Sequence, residues 1–332
     1  MKRYIVYMPD MDFFVYPYYD LFNRENVEVI KFREPVPMNT DNRLLRKMCE
    51  CTFSFELNTQ RFRMPFKNLW YRICTGIPDS TDEIIFMFWG TFTLSDRNYR
   101  KYLKKHFPNC KITFTMFDLA KWCLQETDDM KNLKEFADAI FSYDMDDVQK
   151  YGLTFHRDAF SVLPEEMIGS GGVDSDLNFC GKAKDRYDEI LAVYDSASKA
   201  GVRCDFNIPK LPQEAKNAYP ELAASKYIPY LEYVRRMQGT NCLLEVCQSK
   251  KTNYTLRPWE AIAYGKKILT SNKEFLKEDF YNPNYIQIYE DPSDIDWEWV
   301  KARVDIDYHY IEKLTVDKLL EDYNRVLDGN AC

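Results

Sequence analysis

The sequence predicts an α/β protein of two Rossmann-like domains, each carrying a parallel sheet. Three observations carry that expectation. Short apolar runs alternate along the chain with amphipathic helical stretches, the rhythm of an open parallel sheet. One run, Ile84-Ile85-Phe86-Met87-Phe88, is apolar throughout, as a strand covered on both faces must be. At 332 residues the chain is also long for a single hydrophobic core, so two domains of ordinary size are expected.

In the first half, residues 4–8 read as a strand, 13–23 as an aromatic helix or loop, and 27–32 as an alternating strand. A basic helix over 96–107 leads into a strand over 111–115. Residues 139–143 give another strand, followed by an Asp-rich helix over 144–151 that ends at Gly152. The second half is more regular. Leu177-Asn178-Phe179-Cys180 is a strand, and the helix over 185–200 places Ile190, Leu191, Val193, Tyr194 and Ala197 on one face, with Gly201 beyond its end. Further strands are expected over 202–208, 241–247, 267–270 and 285–288, with helices over 229–238 and 256–264. An amphipathic helix over 315–327 closes the chain. Between the halves, Ile168-Gly169-Ser170-Gly171-Gly172-Val173 fits neither a P-loop nor G-x-G-x-x-G and reads as a hinge. The expected domains are 1–168 and 169–310, with a closing helix in 311–332 read as packing back on the first.

Composition narrows the function. A net charge of −7 argues against a protein that neutralises many phosphates of a nucleic acid. No apolar run reaches 18 residues, so no segment is expected to span a bilayer. The first apolar run meets Pro9 and Asp10 too early for a signal peptide. The ten cysteines are scattered, and Cys49 and Cys51, the one close pair, have no second pair to complete a zinc site. Cys180, Cys204, Cys242 and Cys247 sit in apolar strand-like runs as small hydrophobes. A reducing cytoplasm and no structural metal are expected.

The most informative segment is Thr252-Asn253-Tyr254-Thr255-Leu256-Arg257-Pro258-Trp259-Glu260-Ala261-Ile262-Ala263-Tyr264-Gly265-Lys266-Lys267-Ile268-Leu269. It reads as a helix start with Pro258 in the first turn, a short helix, a glycine stop and a strand. A helix N-terminus offers backbone N–H groups to a diphosphate. Arg257 would add a charged clamp, and Glu260 could accept from ribose hydroxyls. The plainer alternative has Glu260 favouring the helix dipole and Arg257 pairing with a surface acid. Upstream, Lys182, Lys184 and Arg186 follow a strand and open a helix, where their charge opposes the dipole and favours an anionic ligand.

This segment, with Asn241-Cys242-Leu243-Leu244-Glu245-Val246 before it and Phe179-Cys180-Gly181-Lys182-Ala183-Lys184-Asp185-Arg186 further upstream, resembles the donor region of GT-B glycosyltransferases. The likeness is to members found in bacterial capsule, exopolysaccharide and lipopolysaccharide biosynthesis, and covers about residues 176–290 well. It implies two Rossmann-like domains facing a central cleft, with acceptor-binding residues in 1–168 and the nucleotide-sugar donor in 169–310. It also implies a metal-independent hexosyltransferase acting on a saccharide or lipid-linked acceptor. Lys182, Lys184, Arg186, Thr255, Arg257 and Glu260 are the expected donor residues, the cations stabilising the leaving diphosphate. Many retaining members carry a glutamate eight positions before the ribose-contacting one. Thr252 stands there, so the stereochemistry stays open.

An inverting reaction needs a base, and Asp10 and Asp12, after the first strand, are the leading candidates. Asp118, His106 and His156 are the others. Residues 43–72 carry Arg43, Arg46, Lys47, Arg61, Arg63, Lys67 and Arg72 interleaved with Phe53, Phe55, Phe62, Phe66, Trp70 and Tyr71. That mixture suits an anionic membrane surface at the inner face of the plasma membrane, or a lipid diphosphate acceptor. It equally suits an irregular loop whose aromatics are partly core. Two other functions fit the same fold: sugar-nucleotide epimerisation or hydrolysis, and non-catalytic nucleotide-sugar binding.

Overall fold

The structure, a computed structural model, describes residues 2–32, 42–53, 66–75, 77–89, 97–123, 130–223, 225–246 and 254–329. Its contacts divide the chain into two units, Met1–Ala159 with Val316–Cys332, and Phe160–Thr315.

The first unit is built on a six-stranded sheet of β1 (Arg3–Pro9), β2 (Val27–Phe32), β3 (Ile84–Trp89), β4 (Lys111–Met116), β5 (Ala139–Ser142) and β6 (Thr154–Phe155). The spatial order is β2-β1-β3-β4-β5-β6, and every pair is parallel. Both faces are covered, which is why β1 and β3 read as unbroken apolar runs. Side chains alternate between faces. Ile84, Phe86 and Phe88 join one core with Ile5, Tyr7, Leu103 and Phe114. Ile85, Met87 and Trp89 join another with Tyr4, Val6 and Met8. The helix Val316–Leu327 covers that second face with Val316, Leu319, Leu320 and Tyr323. Tyr323 stacks on Phe141 at 3.8 Å, and its hydroxyl is 2.6 Å from that of Thr115.

The second unit carries a five-stranded parallel sheet of β7 (Ser175–Cys180), β8 (Cys204–Asn207), β9 (Thr240–Glu245), β10 (Lys267–Thr270) and β11 (Ile286–Ile288). Its order is β11-β10-β9-β7-β8. The connection leaving β7 goes one way to β8, and the chain then returns to the other side of β7 to form β9. Strand order therefore reverses between β7 and β9, and the crevice beyond their carboxyl ends is where open α/β sheets hold ligands. The helix Tyr187–Lys199 buries Ile190, Leu191, Val193 and Ala197 against this sheet, the face its periodicity predicted.

Two expectations are corrected. The boundary expected at 168 falls inside the second unit, because the Phe160 N–H bonds the Leu314 carbonyl at 2.7 Å and draws 160–168 into that unit. The glycine-rich run is not a hinge between units but a close-packed part of the second one. Val173 N–H donates to the Arg236 carbonyl at 3.2 Å, and a Cβ on Gly172 would lie 2.4 Å from the backbone nitrogen of Gly239. Only glycine allows that approach. Gly172→Ala is therefore expected to destabilise the second unit by about 1–3 kcal/mol through overpacking against backbone that cannot yield. Urea unfolding would check this, and an unchanged midpoint would refute it.

Candidate functional site

Four segments meet at the carboxyl ends of β7 and β9. β7 ends at Cys180 and runs through Gly181 and Lys182 into the 3-10 turn Lys184–Arg186. β9 ends at Glu245, and Tyr254 precedes the helix Arg257–Ala263. The helix Tyr230–Gln238 packs a tyrosine pair alongside.

Thr255 sets up the start of the site helix. Its hydroxyl donates to Glu245 Oε2 at 2.6 Å and accepts from the Arg257 N–H at 3.2 Å. The strand end is thereby tied to the first turn. Arg257 is only 8% exposed. Its guanidinium lies 4.6 Å above the ring of Phe179, and Nη2 donates to the Cys180 carbonyl, so the helix start is bound to the end of β7. A Cβ on Gly181 would come within 3.3 Å of Nη2, so the loop passes close beneath this side chain. Nε of Arg257 is buried and has no hydrogen-bond partner. A buried charged donor without a partner calls for an explanation, and an ordered water or a bound ion is one such explanation.

Glu260 makes contacts inside the unit that the sequence did not announce. It is 3% exposed, and both oxygens accept a bond: Tyr230 donates to Oε1 at 3.0 Å and Tyr233 to Oε2 at 2.7 Å. These two bonds fix the helix Arg257–Ala263 onto the helix Tyr230–Gln238 and leave lone pairs of the carboxylate for a ribose. Burial raises its carboxyl above the usual range, with Arg257 and the two hydroxyls pulling the other way. Gly265, in the left-handed region at φ 58°, turns the chain from this helix into β10.

Arg186 likewise makes contacts inside the unit. Nε donates to the Ala183 carbonyl at 3.2 Å, Nη2 to Lys182 at 2.8 Å, and Nη1 to the Val246 carbonyl. Bonded to these carbonyls, it positions the loop after β7 against the end of β9. Lys182 and Lys184 are exposed, and no carboxylate among the described residues pairs with either.

The expected base candidates lie in the first unit. Asp10 follows β1, beside the point where that sheet's order reverses, and its Oδ1 is 3.8 Å from Lys31 Nζ. Asp12 is exposed at the first position of the short helix Asp12–Val15. Asp118 is also exposed and accepts from the Leu119 N–H at 2.8 Å. His106 is 2.9 Å from Asp79 and stacks on Tyr102. His156 is buried, and burial lowers its pKa to about 4. Thr252 lies outside the described residues, as do Arg61, Arg63, Phe55 and Phe62 of the basic and aromatic stretch.

No family model matches the sequence. No curated protein matches it either. Solved structures do. An α-glucosyltransferase in complex with UDP and a 13-mer DNA containing an HMU base aligns with a TM-score of 0.57 at 12% identity, covering 98% of this chain and 99% of that one. An α-glucosyltransferase in complex with UDP-glucose and DNA containing an abasic site gives 0.53 at 13% identity, over 99% and 94%. The fold is GT-B. At such identities the likeness is one of fold, and capsule or lipopolysaccharide membership rests on the sequence resemblance alone. Both of those structures contain DNA.

Sequence reasoning did not find Glu245, Tyr230 or Tyr233. The tyrosines had a signal: three residues apart on the buried face of a helix, their hydroxyls needed a shared acceptor. Among the described residues, no group of three His, Cys, Asp or Glu side chains is placed to hold a metal ion, and no helix is long and apolar enough to cross a membrane.

Proposed function

We propose that the chain is a glycosyltransferase that moves a hexose from a nucleotide-sugar to a saccharide or lipid-linked acceptor in cell-surface polysaccharide biosynthesis. Arg257 carries the donor assignment. It is a buried guanidinium at the reversal point of the second sheet, with an unpartnered Nε, bound to the end of the strand from which the loop carrying Lys182 leaves. A nucleoside diphosphate suits that setting, since its oxygens would satisfy the donor and the lysine. As the acceptor hydroxyl attacks the anomeric carbon, the bond to the diphosphate breaks and negative charge builds on its oxygens. Fixed cations stabilise that charge, which makes the reading metal-independent. The hydroxyl proton passes to a carboxylate of the first unit, and Asp10 or Asp12 is proposed for that role. Glu260 and Arg186 are assigned to positioning.

Screening by differential scanning fluorimetry against UDP-, GDP-, CMP- and dTDP-sugars tests the donor assignment. One nucleotide is expected to raise the midpoint, by the equivalent of about 2.7 kcal/mol at a hundred times its Kd. Stabilisation by none of them would overturn the reading. Binding without any sugar release or transfer would leave a nucleotide-sugar-binding protein.

Exposed apolar side chains support membrane association by the basic stretch. The helix Arg43–Phe53 exposes Leu44 and Met48 beside Arg43 and Lys47, while Phe66 and Leu69 are exposed near Arg72. Tyr71, by contrast, belongs to the core. Co-sedimentation with anionic vesicles at low salt is expected, with release as salt is raised. Absence of co-sedimentation at low salt would refute it.

A second reading keeps the donor and changes the acceptor to DNA. It is favoured by the DNA present with both α-glucosyltransferases, and opposed by the net charge of −7. Transfer of labelled glucose from UDP-glucose to duplex DNA would establish it.

A further inference from the structure

The loop after β8 brings a further cation to the same end of the sheet. Lys210 follows β8 as Lys182 follows β7, and these two strands are neighbours. The ammonium groups of Lys182 and Lys210 both turn to one side chain, the ring of Tyr227, at 5.2 and 5.7 Å from its centroid. Neither has a carboxylate partner among the described residues, although acids outnumber bases in the chain by 52 to 45. Tyr227 is itself 53% exposed. The segment bearing it is pinned to the strand end, because Asn207 Nδ2 donates to the Lys226 carbonyl at 2.9 Å.

Backbone geometry adds an independent observation. Lys184 and Lys210 stand at φ 52° and 64°, the left-handed region in which glycine is the low-cost residue. Each of the two adjacent strands is thus followed by a loop with a lysine where backbone energetics favour glycine. Strain of this kind is retained where the side chain has work to do.

Like charges gathered around one aromatic ring repel each other, and the ring quadrupole only partly offsets that repulsion. A dianion placed between them removes it. Resting on the donor reading above, we propose that Lys210 and Tyr227 complete the diphosphate site that Lys182 begins. Lys182 and Lys210 take the two phosphates from the β7 and β8 sides, and Tyr227 holds both ammonium groups in place before the ligand arrives. The ligand is a nucleoside diphosphate, bound through its phosphates by this trio together with Arg257. Recognition of its base is left to other residues.

Calorimetric titration of the full chain with UDP, GDP, dTDP and ADP identifies the nucleotide and gives the reference affinity. For that nucleotide, Lys210→Gln is expected to weaken binding at least tenfold and to make binding less sensitive to added salt, since one screened charge pair is removed. Tyr227→Leu should weaken it by less, leaving the salt dependence unchanged. Lys210→Gly supplies the control for folding. Relief of the left-handed backbone should hold or raise the melting temperature while affinity falls as in Lys210→Gln. Binding by both Lys210 variants within twofold of the parent would overturn the proposal and leave the donor reading standing. Failure of the parent chain to bind any of the four diphosphates would overturn both.

Discussion

Glu260→Ala is expected to destabilise the second unit by about 3–5 kcal/mol, the range for removing one member of a buried charged cluster. The carboxylate is enclosed, accepts from Tyr230 and Tyr233, and is the acid one turn from Arg257. Alanine strands two buried hydroxyls and leaves a buried guanidinium with less opposing charge, and each orphaned group costs about 1–3 kcal/mol. Glu260→Gln should cost less, because it keeps the shape and one acceptor. The pH dependence follows from the direction of the shift. Burial raises the folded carboxyl above its unfolded value, so the stability it contributes is fully present below the ordinary carboxylate range. That stability is lost as pH rises through the elevated value. Glutamine does not titrate, so its deficit against the parent should be largest in acid and shrink toward neutrality. Urea unfolding at several pH values, with hydrogen exchange followed over 230–263, measures both effects. Loss of less than about 1 kcal/mol in Glu260→Ala would show that the tyrosines find other partners.

The second large effect belongs to the first unit. His156 Nε2 lies 3.5 Å from Asp158 Oδ1, and Tyr18 donates to that same oxygen at 3.2 Å. Burial dominates both groups, lowering the imidazole to about 4 and raising the carboxyl to about 6. For His156 the folded value is depressed, so its stabilising contribution is complete above about 6.5 and is lost as pH falls toward 4. For Asp158 the folded value is raised, so its contribution is complete below about 3.8 and is lost as pH climbs through 6. Each slope amounts to roughly 3 kcal/mol, and the two oppose each other. In the parent chain they largely cancel between pH 4 and 6. Single substitutions should separate them. Asp158→Asn is expected to lose stability steeply as pH is lowered below about 6.5, because only the histidine still titrates. His156→Phe should do the opposite and weaken as pH is raised from about 4 to 6. Parallel pH profiles for the two variants would refute the account.

Legibility in the sequence followed physical cause. β3 could be read because a strand buried on both faces has no polar residue to interrupt it. β6 is two residues long and not buried, so it leaves neither a periodic nor a compositional trace. The helix Arg43–Phe53 turns Leu44, Leu45 and Met48 outward, so its apolar positions do not report packing. At the site, the helix start and the glycine that ends its helix are backbone features, and short-range residue types encode them. What Glu260 does is set by two tyrosines about thirty residues earlier, on a separate helix. A glutamate in the first turn looks the same from the sequence whether it faces a ribose or a pair of hydroxyls. Arg186 is the same case: a cation after a strand predicts an anion nearby, and the bonds it makes to carbonyls of the surrounding loops leave no trace in that pattern.

The helix Val316–Leu327 has a consequence for synthesis. The chain leaves the first unit after Ala159, builds all of the second, and returns at Val316 to cover the first sheet. On the ribosome the second unit is a contiguous segment and can close while translation continues. The first must wait with Tyr4, Val6, Met87 and Phe141 uncovered until the last helix emerges to receive them. Its strands come first, and its core is completed last. A stalled or shortened chain would therefore present a finished second unit attached to an open apolar sheet, the form of the protein that chaperones and proteases are built to detect.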